Sequence, residues 1–310
     1  MLTLYFAAPK DWPEYQTALP LALSQAGIAA HIVTDAPENP AEVDYIIYAP
    51  YAPLQDFAPY TGCKAVLSLW AGVERVVGNA TLTQPLCRMV EDGLTEGMVE
   101  YVTGHVLRYH LGMDQHIQNP ARAWNPAPPP LARERRVAML GMGALGSACA
   151  RALRALNFNV AGWSRSGGAL GDTPIFSGRE GLRRALEQAD VIVTLLPKTP
   201  QTENLLNAET LSWAPHGARL INPGRGALID DAALLAALGS GQIAHATLDV
   251  FRTEPLPPDH AFWGHPNITI TPHIAADTRA DGAARALAEN IRRGEAGQPL
   301  LYLVQRTRGY

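Results

Sequence analysis

Three observations predict an α/β fold. Short apolar runs of strand length alternate with helical stretches twice along the chain, a proline-rich segment separates the two alternations, and a glycine-rich turn stands between a strand and a helix in the second. The length of 310 residues suits two domains, at about 150 residues each, both large enough to bury a core of their own. An apolar fraction of 47% with 17% charge excludes a disordered chain.

In the first alternation, residues 2–7, 29–33, 45–48 and 65–69 have strand length, and a helix is expected over 13–26. Across 96–110, Met98, Val99, Val102, Val106, Leu107 and Tyr109 recur at three- and four-residue spacing without proline, which predicts a long amphipathic helix. Residues 119–130 then contain Pro120, Pro126 and Pro128 to Pro130. Missing amide donors prevent regular pairing there, so a linker or surface loop is expected. Trp124 within it fits a subunit interface, a pocket mouth or plain loop packing.

The second alternation has apolar runs at 136–140, 159–163, 191–196, 218–222, 245–250 and 268–271, most of them separated by helical patterns. Strand, helix, strand repetition at this spacing predicts a parallel sheet covered on both faces. Apolar positions across 278–293 fall at helical spacing, giving a last helix that is free to return to the first lobe.

The charge balance, 25 Lys plus Arg against 29 Asp plus Glu, provides no excess basic field to hold a nucleic acid. Cys63, Cys87 and Cys149 are far apart and form no CxxC pair, as expected of a reducing cytoplasm. No apolar run approaches the roughly 18 residues of a spanning helix, and no basic region precedes the short apolar stretch at the N-terminus, so neither membrane anchoring nor secretion is expected.

Gly141-Met142-Gly143-Ala144-Leu145-Gly146 ends the strand at 136–140 and precedes the helix-forming run 147–156. One glycine permits the tight turn, the next lets backbone approach a pyrophosphate, and the third lets helix and strand pack closely. Free amides and the positive helix end would then face the phosphates. A dinucleotide site is expected; the bland alternative is a structural turn. At the end of the next strand, where an acid would bind the ribose of NAD, the sequence reads Trp163-Ser164-Arg165-Ser166 with no acid until Asp172. A guanidinium with two hydroxyls suits a 2′-phosphate, so NADP is the expected cofactor, unless Arg165 is merely solvated at a strand end.

Arg225, Glu254 and His273 each follow a predicted strand, and the carboxyl ends of parallel strands border the ligand crevice. Together they suffice for reversible carbonyl reduction. A histidinium can deliver the proton that the carbonyl oxygen must collect, a carboxylate beside it favours the charged ring, and an arginine can clamp a substrate carboxylate. Singly, each has a structural alternative: a hydrogen-bonding His after Pro, a helix-capping Arg, a solvated turn Glu. His31, His105, His110, His116, His216, His245, His260 and His265 lack such company.

The glycine turn, NPGRGALID (222–230), LDVFRTEPLP (248–257) and TPHIAA (271–276) together resemble the D-2-hydroxyacid dehydrogenase family, in particular its glyoxylate and hydroxypyruvate reductase A branch, over nearly the whole chain. The resemblance implies two doubly wound parallel-sheet domains: a Rossmann-type nucleotide domain over 97–273, and a discontinuous, flavodoxin-like substrate domain from 1–96 and 274–310, closing by hinge motion. It further implies that Arg225 binds substrate and takes part in catalysis, Glu254 pairs with the histidine, and His273 is the general acid or base. Asp249 is implied to contact the nicotinamide carboxamide, and Leu196 and Pro197 to line the cofactor site. In the first lobe, SLWAGVE (68–74) resembles the segment whose backbone faces the substrate carboxylate, which gives Ala71 and Gly72 as backbone donors and Trp70 as a pocket wall, against a buried Trp ending a strand. Many NAD-using relatives carry Asp where Arg165 lies, which again favours NADP(H) and leaves NAD(H) open. The implied activity is reduction of glyoxylate and hydroxypyruvate with NADPH by a homodimer. Two alternatives remain: another small 2-keto acid, or a dinucleotide-sensing interaction protein of the corepressor type.

Overall fold

The computed structural model describes residues 1–119, 121–124 and 126–306; of the expected linker, Pro120 and Asn125 lie outside the described residues. In chain order the elements are β1 (Leu2–Phe6), α1 (Trp12–Gln25), β2 (Ala30–Val33), β3 (Tyr45–Tyr48), β4 (Ala65–Ser68), β5 (Leu86–Cys87), α2 (Asp92–His110), α3 (Met113–Gln118), β6 (Arg136–Leu140), α4 (Ala144–Ala155), β7 (Asn159–Trp163), β8 (Gly168–Leu170), β9 (Thr173–Phe176), α5 (Gly178–Leu186), β10 (Val191–Thr194), α6 (Ala208–Ser212), β11 (Ala218–Asn222), α7 (Asp231–Ser240), β12 (Ile243–Leu248), β13 (Ile268–Ile270) and α8 (Ala280–Glu295). The chain forms two compact units, one from Met1–Leu94 with Asp277–Tyr310 and one from Thr95–Ala276. The divisions fall a few residues from the 96 and 273 expected from sequence.

The first unit is built on a parallel sheet in the order β2-β1-β3-β4-β5. Its strands are mostly apolar because both faces are covered, and alternate residues serve opposite cores. Leu4, Phe6, Tyr45 and Ile47 pack with Leu19 of α1 and Leu287 and Ile291 of α8. Tyr5, Ile46, Tyr48 and Val66 face the other way, onto Phe57, Val73 and Leu82.

The second unit holds an eight-stranded sheet in the order β13-β12-β11-β10-β6-β7-β9-β8. One face buries Val137, Met139, Val191 and Val193 against Met98, Val102 and Val106 of α2 and Cys149 and Leu153 of α4. The opposite face buries Leu140, Ile192 and Leu220 against Leu182 of α5, Leu211 of α6 and Leu234 of α7. The sheet is thus wound on both sides of β6, with β7 on one flank and β10 on the other. Strand order reverses there, which opens the ligand crevice of such sheets.

The parallel rule fails at one edge, where β8 runs antiparallel to β9. Three residues with glycine at both flanks give neither a run nor a period for sequence reasoning to find. Among the described residues Cys63, Cys87 and Cys149 are free and buried; burial pushes their thiols up to about 12, 11 and 12. No helix among the described residues is long and apolar enough to cross a membrane.

Leu220 lies at the centre of the second sheet with no exposed surface. Leu220→Ala is expected to destabilise the protein by about 3 kcal/mol through lost burial and the cavity left behind, read as a lowered midpoint in urea unfolding.

Candidate active site

β6, β10, β11, β12 and β13 run parallel, so their carboxyl ends lie along one edge of the second unit. The segments that leave this edge carry the glycine turn, Leu196 and Pro197, Arg225, Glu254 and His273.

The glycine turn is a phosphate cradle in shape. Gly141 takes φ +110, and a Cβ at Gly146 would collide with the Gly141 carbonyl, so helix and strand meet closely only because Gly146 has no side chain. Gly143 is the N-cap of the twelve-residue α4 and supplies no side-chain cap. A Cβ on it would meet nothing within 4 Å. First-turn amides of α4, from Ala144 onward, therefore face open space together with the positive helix end. Leu145 packs inward, and Met142 lies beneath Gly162 of β7. At the end of β7 the Ser164 amide donates to the Phe176 carbonyl at 3.0 Å, while Arg165 and Ser166 are exposed. Asp172 stands in the β8–β9 turn, almost wholly exposed and 3.8 Å from Arg154. These residues fit a dinucleotide: uncapped amides for the pyrophosphate, an exposed guanidinium with hydroxyls at the ribose end.

Glu254 and His273 meet, with His273 Nδ1 2.8 Å from Glu254 Oε2. The other carboxylate oxygen accepts the Phe251 amide at 2.8 Å, which fixes the plane of the carboxylate. Burial pushes the Glu254 carboxyl up, but the His273 and Phe251 hydrogen bonds and the charges of His273 and Arg225 outweigh it and hold it below its usual value. Hydrogen bonding to Glu254 raises His273; burial and Arg225 oppose, the charges of Glu254 and Asp249 assist, and the net shift is upward. An ionised Glu254 can only accept, so Nδ1 carries the proton and Nε2 is left for exchange with a ligand.

Arg225 is held by its neighbours. Buried Asn222 accepts from Thr194 Oγ1 at 2.6 Å and from the Gly224 amide at 3.2 Å, and donates to the Arg225 carbonyl at 3.0 Å. The guanidinium donates to the Gly224 carbonyl at 2.8 Å. Asn222 has no role legible in the sequence; its place at the buried end of β11 gives it one.

Asp249 is enclosed: its side chain has no exposed surface, and its carboxylate oxygens accept Thr271 Oγ1 at 2.6 Å and the Ile274 and Ala275 amides at 2.9 Å each. The carboxylate thereby ties down the turn that carries His273. Leu196 is buried and Pro197 half-buried, its carbonyl accepting from Thr202 Oγ1 at 2.7 Å.

In the first unit Trp70 is 41% exposed, tilted against Tyr51 with ring centroids 6.0 Å apart. Ser68 Oγ accepts the Trp70 amide and donates to its carbonyl, both at 3.0 Å, closing the bend after β4. The Ala71 and Gly72 amides that follow donate to no protein acceptor among the described residues. Two such amides in sequence are suited to an anion.

A doubly wound sheet with a phosphate cradle and a carboxylate–imidazole pair at its carboxyl edge defines a dinucleotide-dependent oxidoreductase. Residues 104–275 match the family described as D-isomer specific 2-hydroxyacid dehydrogenase, NAD binding domain. A glyoxylate/hydroxypyruvate reductase A of Yersinia enterocolitica is 38% identical over 266 residues, 83% of this chain and 85% of that protein. A D-isomer specific 2-hydroxyacid dehydrogenase from Xanthobacter autotrophicus Py2, solved with NADPH and MES, superposes with a TM-score of 0.91 at 37% identity, covering 100% of this chain and 99% of that one. An NADPH-dependent glyoxylate/hydroxypyruvate reductase from Sinorhizobium meliloti, solved with NADP and sulfate, gives 0.86 at 31% identity with both chains covered completely. The chain belongs to the D-isomer specific 2-hydroxyacid dehydrogenase family.

Because Glu254 raises the His273 pKa, Glu254→Gln should move the His273 titration to lower pH, read from its imidazole proton resonances. The same sign governs stability: the contribution of His273 is fully present below the unfolded-state pKa of His and is lost as pH rises through the raised folded-state value.

Proposed function

We propose that this enzyme reduces small 2-keto acids, glyoxylate to glycolate and hydroxypyruvate to D-glycerate, with NADPH. The observation that carries the reading is the 2.8 Å contact between His273 and Glu254 on the edge that also bears Arg225. When bound, the reduced nicotinamide supplies a hydride to the carbonyl carbon. His273 Nε2 delivers a proton to the carbonyl oxygen, and the resulting imidazole is reprotonated from solvent. Glu254 holds the ring in orientation and favours its charged form. Arg225 binds the substrate carboxylate and steadies charge at the carbonyl oxygen. Trp70, Ala71 and Gly72 are read as substrate-binding residues of the other unit, the first through its ring and the other two through their backbone amides. The unit formed by Thr95–Ala276 is taken as the nucleotide domain and the other as the substrate domain.

Gly141 to Gly146 would cradle the pyrophosphate, and Ser164, Arg165 and Ser166 the 2′-phosphate. The NADPH and NADP reported for relatives at 37% and 31% identity support this cofactor. Ile117, Trp124 and Leu131 are exposed at 77%, 95% and 53%, which supports a homodimer that covers them. The assembly is assigned to the cytoplasm.

His273→Asn is expected to lower kcat for NADPH-dependent glyoxylate reduction by about 100-fold to 10,000-fold; a rate equal to wild type removes the proposed acid. A panel of keto acids assayed with both reduced nicotinamides tests the substrate, and a preferred acid other than glyoxylate or hydroxypyruvate overturns that part. Arg165→Ala should raise KM for NADPH about tenfold or more, by loss of a charge-assisted hydrogen bond, with little change for NADH.

A further inference from the structure

We propose that Tyr101, Thr271 and Asp249 form a relay that seats the His273 turn from behind, making Tyr101 and Thr271 positioning residues for proton transfer. The inference rests on the role given to His273 above.

His273 adopts a left-handed backbone, φ +56, a conformation that side-chain-bearing residues hold only when their surroundings impose it. The imposing contacts converge on Asp249, with the Thr271 carbonyl as a second acceptor for the His273 amide at 3.0 Å. The Asp249 carbonyl accepts the His273 amide at 2.9 Å, and its buried carboxylate accepts the next two amides, Ile274 and Ala275, at 2.9 Å each. A third proton comes from Thr271 Oγ1 at 2.6 Å. A threonine hydroxyl has a single proton to give, so the 2.7 Å contact between Thr271 Oγ1 and the Tyr101 hydroxyl has Tyr101 as donor. Burial pushes the Tyr101 phenol up, which keeps that proton in place. The chain of donors therefore runs one way, from α2 through the end of β13 into the carboxylate.

Two further side chains on α2 reach threonines of the same sheet without touching the turn. Tyr109 contacts Thr247 Oγ1 at 2.6 Å and His245 Nδ1 at 2.9 Å, and Arg108 donates to Thr269 Oγ1 at 2.9 Å. These bind the helix to the sheet body, and Tyr109 is the natural control for a merely structural role.

The test compares Thr271→Val, Thr271→Ser, Tyr101→Phe and Tyr109→Phe by amide hydrogen exchange and by steady-state kinetics with NADPH and glyoxylate. Ile274 has a 62% exposed surface, so protection of its amide reports the Asp249 bond directly. Thr271→Val should speed exchange at Ile274 and Ala275 and lower kcat, each by about tenfold, the loss expected of one hydrogen bond, with KM for NADPH within about twofold. Thr271→Ser should restore both, Tyr101→Phe should move both in the same direction, and Tyr109→Phe should move neither. Unchanged exchange at those two amides in Thr271→Val and Tyr101→Phe, faster exchange spread evenly over the whole of β13, or an unchanged kcat in both variants overturns the relay. Absence of turnover in the wild-type enzyme would instead overturn the functional reading, and the exchange measurement alone would then decide the relay.

Discussion

Parallel pairing is the constraint from which the chemistry descends. When strands run in one direction, every chain segment leaving the sheet at its carboxyl end emerges on the same side. β6, β10, β11, β12 and β13 obey this in consecutive register. A phosphate cradle, an arginine, a carboxylate and an imidazole are thereby delivered to one edge although more than 120 residues separate the first from the last. No side chain has to reach far. Each sits within a few residues of a rigid strand end, and the sheet does the positioning.

Strand position was legible because the central strands are covered on both faces and so read as mostly apolar runs. Arg136–Leu140, Asn159–Trp163 and Ala218–Asn222 stand where the runs stand. The ends of elements were less legible. α2 begins at Asp92, several residues ahead of the apolar periodicity, since its first turn is fixed by local hydrogen bonding that leaves no apolar signature. β5, two residues long, and the β8–β9 hairpin were invisible for want of length.

Within the site, residue types and strand position sufficed to single out Glu254 and His273, which meet at 2.8 Å. Sequence could not tell which way Asp249 points. That depends on the segment after β13 folding back across the end of β12, a long-range event with no local pattern. For the same reason neither Thr271 nor Tyr101 carries a local signal of the use to which its hydroxyl is put. The distinction follows burial: apolar residues announce their surroundings through periodicity, whereas an enclosed polar group is explained only by the partner it has found.

Gly143 leaves the start of α4 without the side-chain cap that Ser, Thr, Asp or Asn commonly provides. A cap would tighten the empty protein by about 1 kcal/mol, yet its oxygen would occupy the space and the amides that a phosphate needs. The helix is thus left unfinished by its own sequence, and a bound anion would complete it. Local stability surrendered at this one position would be returned on loading, so that occupancy and rigidity of the turn would rise together.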